Sequence, residues 1–121
     1  MLIERMNVDF KHVDERGELI QLVHLGFEQI NVLESRKGVV RGGHYHKESV
    51  EAFYVVRGSV ILTSSYKGVR EQECFRTGDF FRVPVGVVHS MEFPENCLMV
   101  QMYDKCVDKG NGKMDIYAEG E

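Results

Sequence analysis

Gly38-Val39-Val40-Arg41-Gly42-Gly43-His44-Tyr45-His46, running on to Glu51 and Gly58, is the stretch on which the reading of this chain turns. His44 and His46 are two residues apart, so on an extended strand both imidazoles leave the same face. Lys47-Glu48-Ser49-Val50 is polar enough to turn the chain, and Glu51-Ala52-Phe53-Tyr54-Val55-Val56-Arg57 reads as a strand returning alongside the first. That return would bring the Glu51 carboxylate beside the two histidines. A second segment, Gly78-Asp79-Phe80-Phe81-Arg82-Val83-Pro84-Val85-Gly86-Val87-Val88-His89, delivers a third imidazole, His89, after a Pro-x-Gly turn between two β-rich runs. Three imidazoles and one carboxylate on strands suit a borderline divalent transition metal such as Zn, Mn, Fe or Ni. His44, His46, Glu51 and His89 are therefore the expected metal ligands.

Around this site the chain reads as a succession of short strands. Leu2, Ile3, Val8 and Phe10 lie among charges and suggest an irregular edge strand. Because that run is too polar for a core and too apolar to be left free, Leu2 to Phe10 is the expected contact of a homodimer. Val13 to Glu18 is a charged turn, with Gly17 supplying backbone freedom. Leu19–Leu25 and Phe27–Leu33 read as the next two strands, and Arg57-Gly58 as a hairpin turn into the run from Ser59 to Tyr66. Val69 to Phe75, Phe80 to Val83, Val87 to Phe93 and Leu98 to Tyr103 complete about ten strands. No segment keeps an i, i+3, i+4 apolar pattern over three turns, so no helix is expected. Phe53, Val55, Phe81, Met91, Phe93 and Met99 are expected to line the barrel interior, and Tyr45 to point away from it. Residues 1–121 fit one domain, with 104–121 as a peripheral C-terminal tail rich in Gly, Asp and Lys.

Composition narrows the function classes. A net charge of −4 argues against nucleic acid as partner, because phosphate backbones are met by a basic footprint. No apolar run approaches the roughly 18 residues that span a bilayer, so no membrane partner is expected. Met1 to Arg5 lacks the order of a signal peptide, and Cys74, Cys97 and Cys106 form an odd set without CxxC spacing. A cytoplasmic protein with free thiols is the expectation. His12 and His24 stand alone in sequence and read as surface histidines.

The two segments resemble the paired motifs of the cupin superfamily. The first has glycine, five residues, His-x-His, four residues, Glu, six residues and Gly; the second has glycine, five residues, Pro-x-Gly, two residues and His. Nine fixed positions in register, each of a residue type at no more than about 7% of average usage, make chance agreement remote. The closing Asn of the second motif is replaced by Phe93, a position that binds no metal in the family. The resemblance implies an all-β, double-stranded β-helix or jelly-roll barrel. Asp14-Glu15-Arg16-Gly17-Glu18-Leu19 and Arg41-Gly42-Gly43-His44-Tyr45-His46-Lys47 further resemble the small nucleotide-sugar cupins. These are the 3,4-ketoisomerases of thymidine-diphosphate-6-deoxyhexoses, the 3,5-epimerases, and the cupin halves of capsular-sugar reductases. That likeness implies His44 and His46 as a catalytic proton-shuttling pair, with Arg41 binding the substrate diphosphate. Glu51 departs from the metal-free ketoisomerases, which carry a neutral amide there, and draws the chain toward metal-bearing relatives. An isomerase or epimerase of a nucleotide-linked keto sugar is the leading expectation. An iron or copper dioxygenase and a non-catalytic sensing cupin are its rivals; a cavity-facing Arg41 would favour the first, and a small apolar pocket the dioxygenase.

Overall fold

The computed structural model describes residues 1–121. Its strands are β1 (Glu4–Arg5), β2 (Phe10–Asp14), β3 (Gly17–Gln21), β4 (Gln29–Ser35), β5 (Val40–Tyr45) and β6 (Glu51–Arg57), then β7 (Ser59–Tyr66), β8 (Val69–Arg76), β9 (Phe80–Val83), β10 (Val88–Glu92), β11 (Cys97–Tyr103) and β12 (Tyr117–Ala118). They form two five-stranded antiparallel sheets, in the orders β1-β9-β6-β11-β4 and β12-β5-β10-β7-β8, and a separate β2-β3 hairpin. This is the all-β jelly roll expected. No helix is long and apolar enough to cross a membrane.

The inner faces of the two sheets share one core. Phe53, Val55, Phe81, Met91, Phe93 and Met99 all belong to it, as expected, together with Ile3, Val60, Leu62 and Phe75. Phe81 stacks on Phe75 at 3.9 Å between ring centroids and on Phe53 at 5.4 Å. Each such ring removed from water stabilises the fold by about 1.5–3 kcal/mol. The first five residues of β6 are buried on both faces because two layers cover it. Inward lie Glu51, Phe53 and Val55. Outward, Ala52 and Tyr54 join Phe80 and Met102 under Met6, Val8, Ile20, Leu22, Val23 and Phe27. A strand covered on both sides reads as a continuous apolar run rather than an alternating one.

Several connections differ from the sequence reading. β5 and β6 do not pair: they lie in opposite sheets and face each other across the barrel, so Glu51 reaches the histidines from the far wall. Arg57-Gly58 is likewise no hairpin turn, since β6 and β7 also belong to different sheets. Gly58 is a corner at φ +102, where a Cβ would come within 2.3 Å of the Asn96 carbonyl oxygen. The expected strand Leu19–Leu25 ends at Gln21 and pairs with β2. The N-terminal run is not left free either. Ile3 sits in the chain's own core with Leu2 against it, Met6 and Val8 pack on the outer layer, and Phe10 stays half exposed. Cys74, Cys97 and Cys106 are unpaired.

Candidate metal centre and active site

Strand parity places Glu51 and His89, and a bulge in β5 brings Arg41 to the same side as His44. Glu51 shares the inward face of β6 with Phe53, and His89 shares that of β10 with Met91. In β5, Arg41 and His44 are three apart and would point to opposite sides of a regular strand. The ladder, however, pairs His89 with His44 and Ser90 with Gly42, leaving Gly43 as an extra residue. The bulge resets the parity, so Arg41 lies opposite Met91 and turns inward with His44. Gly42 is required for the close approach: at φ +100, a Cβ there would stand 2.7 Å from the His89 carbonyl oxygen.

The structure brings His44, His46, Glu51 and His89 together, with one ligand atom of each within 4.8 Å of the others. The rings of His44 and His89 lie 4.8 Å apart, and those of His44 and His46 5.2 Å. His46, Glu51 and His89 are almost wholly buried, and His44 is half-buried. Two backbone carbonyls set the ring tautomers. His46 Nδ1–H donates to the Asp115 carbonyl at 2.6 Å, and His89 Nδ1–H donates to that of Val87 at 3.1 Å. Both Nε2 atoms therefore face the site. His46 Nε2 lies 3.0 Å and His89 Nε2 2.9 Å from the same oxygen, Glu51 Oε1. His89 Nε2 nevertheless makes no hydrogen bond and is an orphaned buried polar atom. Lone pairs converging on one carboxylate oxygen repel unless a cation, a proton or a metal, lies among them. The donor set thus fits a divalent metal, and the outer carbonyls are the partners that orient ligating histidines.

The local electrostatics follow from the same contacts. Burial would raise the Glu51 carboxyl, but the hydrogen bond with His46 and the adjacent His89 hold it well below the usual carboxylate range. Burial lowers His46, and Glu51 with the Asp115 carbonyl more than offsets this, so its pKa is raised. His44 has neither advantage: burial, then the neighbouring His89, push it down to about 4 against the pull of Glu51.

Four residues escaped the sequence reading. Gln101 Nε2 donates to Glu51 Oε2 at 2.7 Å and its Oε1 accepts from Asn31 Nδ2 at 3.0 Å, so the carboxylate is oriented by an amide relay. Tyr103 sets its ring against His46, and burial together with Glu51 raises its phenol. Asp115 comes from the C-terminal segment. The signal for Gln101 was a polar residue at an inward position of an apolar strand; periodicity offered none for Asp115. His12 and His24 sit on the surface beside Asp14 and Asp9, away from the site.

Arg41 donates from Nε to Ser35 Oγ at 2.8 Å and from Nη2 to the Glu34 carbonyl at 3.0 Å, and no carboxylate pairs with it. It lines a cavity of about 450 Å³ with Leu33, Gly42, His44, Glu51, His89 and Gln101. His46 does not reach that cavity, and both of its ring nitrogens are engaged. Tyr45 packs its ring against Tyr117 at a tilt, outside the cavity, as expected.

Residues 12–105 match the family model for the polysaccharide biosynthesis C-terminal domain. The chain belongs to that family. No curated protein matches it. Solved structures place this polysaccharide biosynthesis C-terminal domain among similar barrels. A 3,4-ketoisomerase from Helicobacter canadensis superposes with a TM-score of 0.80 at 16% identity, over 96% of this chain and 90% of that one. A double mutant of the QdtA 3,4-ketoisomerase from Thermoanaerobacterium thermosaccharolyticum, in complex with TDP, gives 0.73 at 18%, over 94% and 83%. The capsular polysaccharide assembling protein CapF from Staphylococcus aureus gives 0.64 at 22%, over 90% of this chain and 31% of CapF. At these identities the likeness establishes the shared fold.

Proposed function

We propose that this domain is a metal-binding cupin enzyme that moves a proton beside the ketone of a nucleotide-linked keto sugar, as an isomerase or epimerase. One observation carries the reading: an arginine without an acidic partner and the His/Glu cluster line the same cavity. Two of the similar barrels are 3,4-ketoisomerases, one of them solved with TDP, which supports the substrate class. The mixed polar lining of the cavity favours this reading over a dioxygenase, for which a small apolar pocket was expected.

In this proposal His46, Glu51 and His89 hold one divalent metal and His44 completes the set. Such a metal supplies Lewis acidity that would polarise a ketone oxygen. Arg41 binds the diphosphate through charge-assisted N–H bonds, and its tether to Ser35 and Glu34 holds the guanidinium in place beforehand. Gln101 keeps Glu51 Oε2 occupied, so that Oε1 alone faces the cluster. Of the two histidines expected to shuttle protons, His44 is the one whose ring is free and borders the cavity; in the metal-free protein, acceptance of the sugar proton falls to it. The chain also works as a homodimer in this reading, its second copy meeting the open edge strand β4, where Ile30 and Val32 remain exposed.

The test combines elemental analysis with incubation of the protein and TDP-4-keto-6-deoxyglucose in deuterated water. Deuterium incorporated next to the ketone, with stoichiometric metal, is expected. Iron content with oxygen consumption and no exchange would move the chain to the dioxygenase class, and binding without exchange to the sensors. A monomer by light scattering at micromolar concentration would remove the dimer.

A further inference from the structure

The C-terminal segment looks peripheral in sequence, yet one of its residues is among the most fully engaged in the molecule. Asp115 is 1% exposed, although Met114 and Ile116 on either side are at least two-fifths exposed. Its Oδ1 accepts the Lys47 N–H, and its Oδ2 accepts those of Glu48 and Ser49, each at 2.9 Å. Its own N–H donates to the Val107 carbonyl, and its carbonyl accepts from His46 Nδ1. Three successive backbone N–H groups pointing one way make an anion-binding concavity, and here a carboxylate from nearly seventy residues away fills it. The residues around it brace the arrangement. β12 pairs with β5 at His44 and Tyr45, Lys47 Nζ lies 4.0 Å over the Tyr117 ring, and Lys109 pairs with Glu48 at 2.9 Å.

We propose that Asp115 is a positioning residue for the site: its carboxylate clips the C-terminal segment onto the turn after β5, so that its carbonyl locks His46 with Nε2 aimed at Glu51. The lock acts on direction and tautomer together. A ring whose Nδ1–H has a fixed acceptor cannot exchange tautomers or rotate without breaking that bond. Without the carboxylate, three N–H groups lose their acceptor, the segment loses its anchor, and the carbonyl that holds His46 leaves with it. The part of the proposal that concerns metal affinity rests on the metal reading above; the tautomer part does not.

The experiment uses the full chain with ¹⁵N-labelled histidine, metal-free, at a pH where the His46 ring is neutral. Long-range ¹H–¹⁵N spectra should show His46 as the Nδ1–H tautomer in the parent and as a mixture in Asp115→Asn. Zinc affinity, measured by competition with a chromophoric chelator, should fall about 10–100-fold in Asp115→Asn. Lys109→Ala, which loosens the segment without touching the three N–H groups, should leave both readouts unchanged. A variant that melts earlier but keeps the parent tautomer and zinc affinity would reduce Asp115 to a structural role and overturn the proposal. So would an Nε2–H tautomer in the parent, which needs no variant to fold. If the parent binds no zinc, the metal reading fails, and the tautomer comparison still decides the role of Asp115.

Discussion

Two adjacent glycines allow the bulge in β5 to be tested by difference. Gly42 and Gly43 both have positive φ, +100 and +80, so an alanine at either carries a backbone penalty of at least about 1–2 kcal/mol. Around Gly43 a Cβ meets nothing within 4 Å. At Gly42 it would stand 2.7 Å from the His89 carbonyl oxygen and 3.0 Å from Ser90 Cα, when an ordinary contact begins at 3.4 Å. Both obstacles are backbone, so β10 must retreat by roughly 0.7 Å, at a further cost of about 1–3 kcal/mol. With an unfolding entropy of about 2.1 cal/mol/K per residue, 121 residues give about 4 °C of Tm per kcal/mol. Gly43→Ala should lower Tm by at least about 4–8 °C and Gly42→Ala by at least about 8–20 °C. The displaced strand carries His89, and a site held to about 0.5 Å will not absorb the shift. Gly42→Ala should therefore also weaken zinc binding at least about tenfold, while Gly43→Ala leaves it near the parent value. Calorimetry and chelator competition measure the two effects. Equal Tm losses, or parental zinc affinity in Gly42→Ala, would refute the close-approach reasoning.

Other substitutions probe separate parts of the site and core. His46→Ala should abolish stoichiometric metal while leaving a folded β-protein by circular dichroism, and full occupancy would defeat the ligand assignment. Arg41→Ala should weaken TDP binding about 10–100-fold by isothermal titration, with metal content unchanged, because a charge-assisted bond contributes about 1.5–3 kcal/mol; equal affinity would remove the diphosphate role. Glu51→Gln removes the charged partner of His46, a contact that holds the Glu51 carboxyl below its ordinary range, so the metal-free protein should unfold at lower denaturant concentration at neutral pH while metal affinity collapses; an unchanged or higher midpoint would show that the pair does not stabilise the fold. Phe81→Ala empties the centre of the stacked trio with Phe53 and Phe75 and should cost about 3–5 kcal/mol in urea unfolding.

The barrel and its cluster were legible because they depend on parity and spacing, which are local properties of the chain. His44 and His46 share a face by being two apart, and Glu51 shares one with Phe53 and Val55 for the same reason. Which strands pair was not legible: alternation says which side chains face inward, but not that β5 and β6 sit in opposite sheets. Arg41 at the cavity was expected from the resemblance, but the bulge that turns it inward was not legible, for a related reason. Two neighbouring glycines show that the backbone is free there, but not that Gly43 is the inserted residue. Asp115 and Asn31 act across separations of nearly seventy residues, where local patterning carries no information. The burial of Ile3 was not legible because charged neighbours mask a single inward side chain just before a two-residue strand.

The local rules of stability are broken where the chemistry would sit. The main core cluster is built of apolar side chains in mutual contact. At the mouth, a carboxylate and two imidazoles are almost wholly buried, and one nitrogen among them has no partner. A fold selected for stability alone would bring an apolar side chain to the position of Glu51, since buried charges seldom repay their desolvation. Here the surroundings instead secure the charged arrangement from outside. Gln101 and Asn31 hold Glu51, the Val87 carbonyl holds His89, and Asp115 holds His46. None of these outer residues contributes a ligand atom to the cluster, and each restricts one member to the orientation that leaves its lone pair facing the centre. Such convergence is costly in an empty site and favourable around a cation. That asymmetry is the physical reason for reading the cluster as a site rather than as a polar defect in the core.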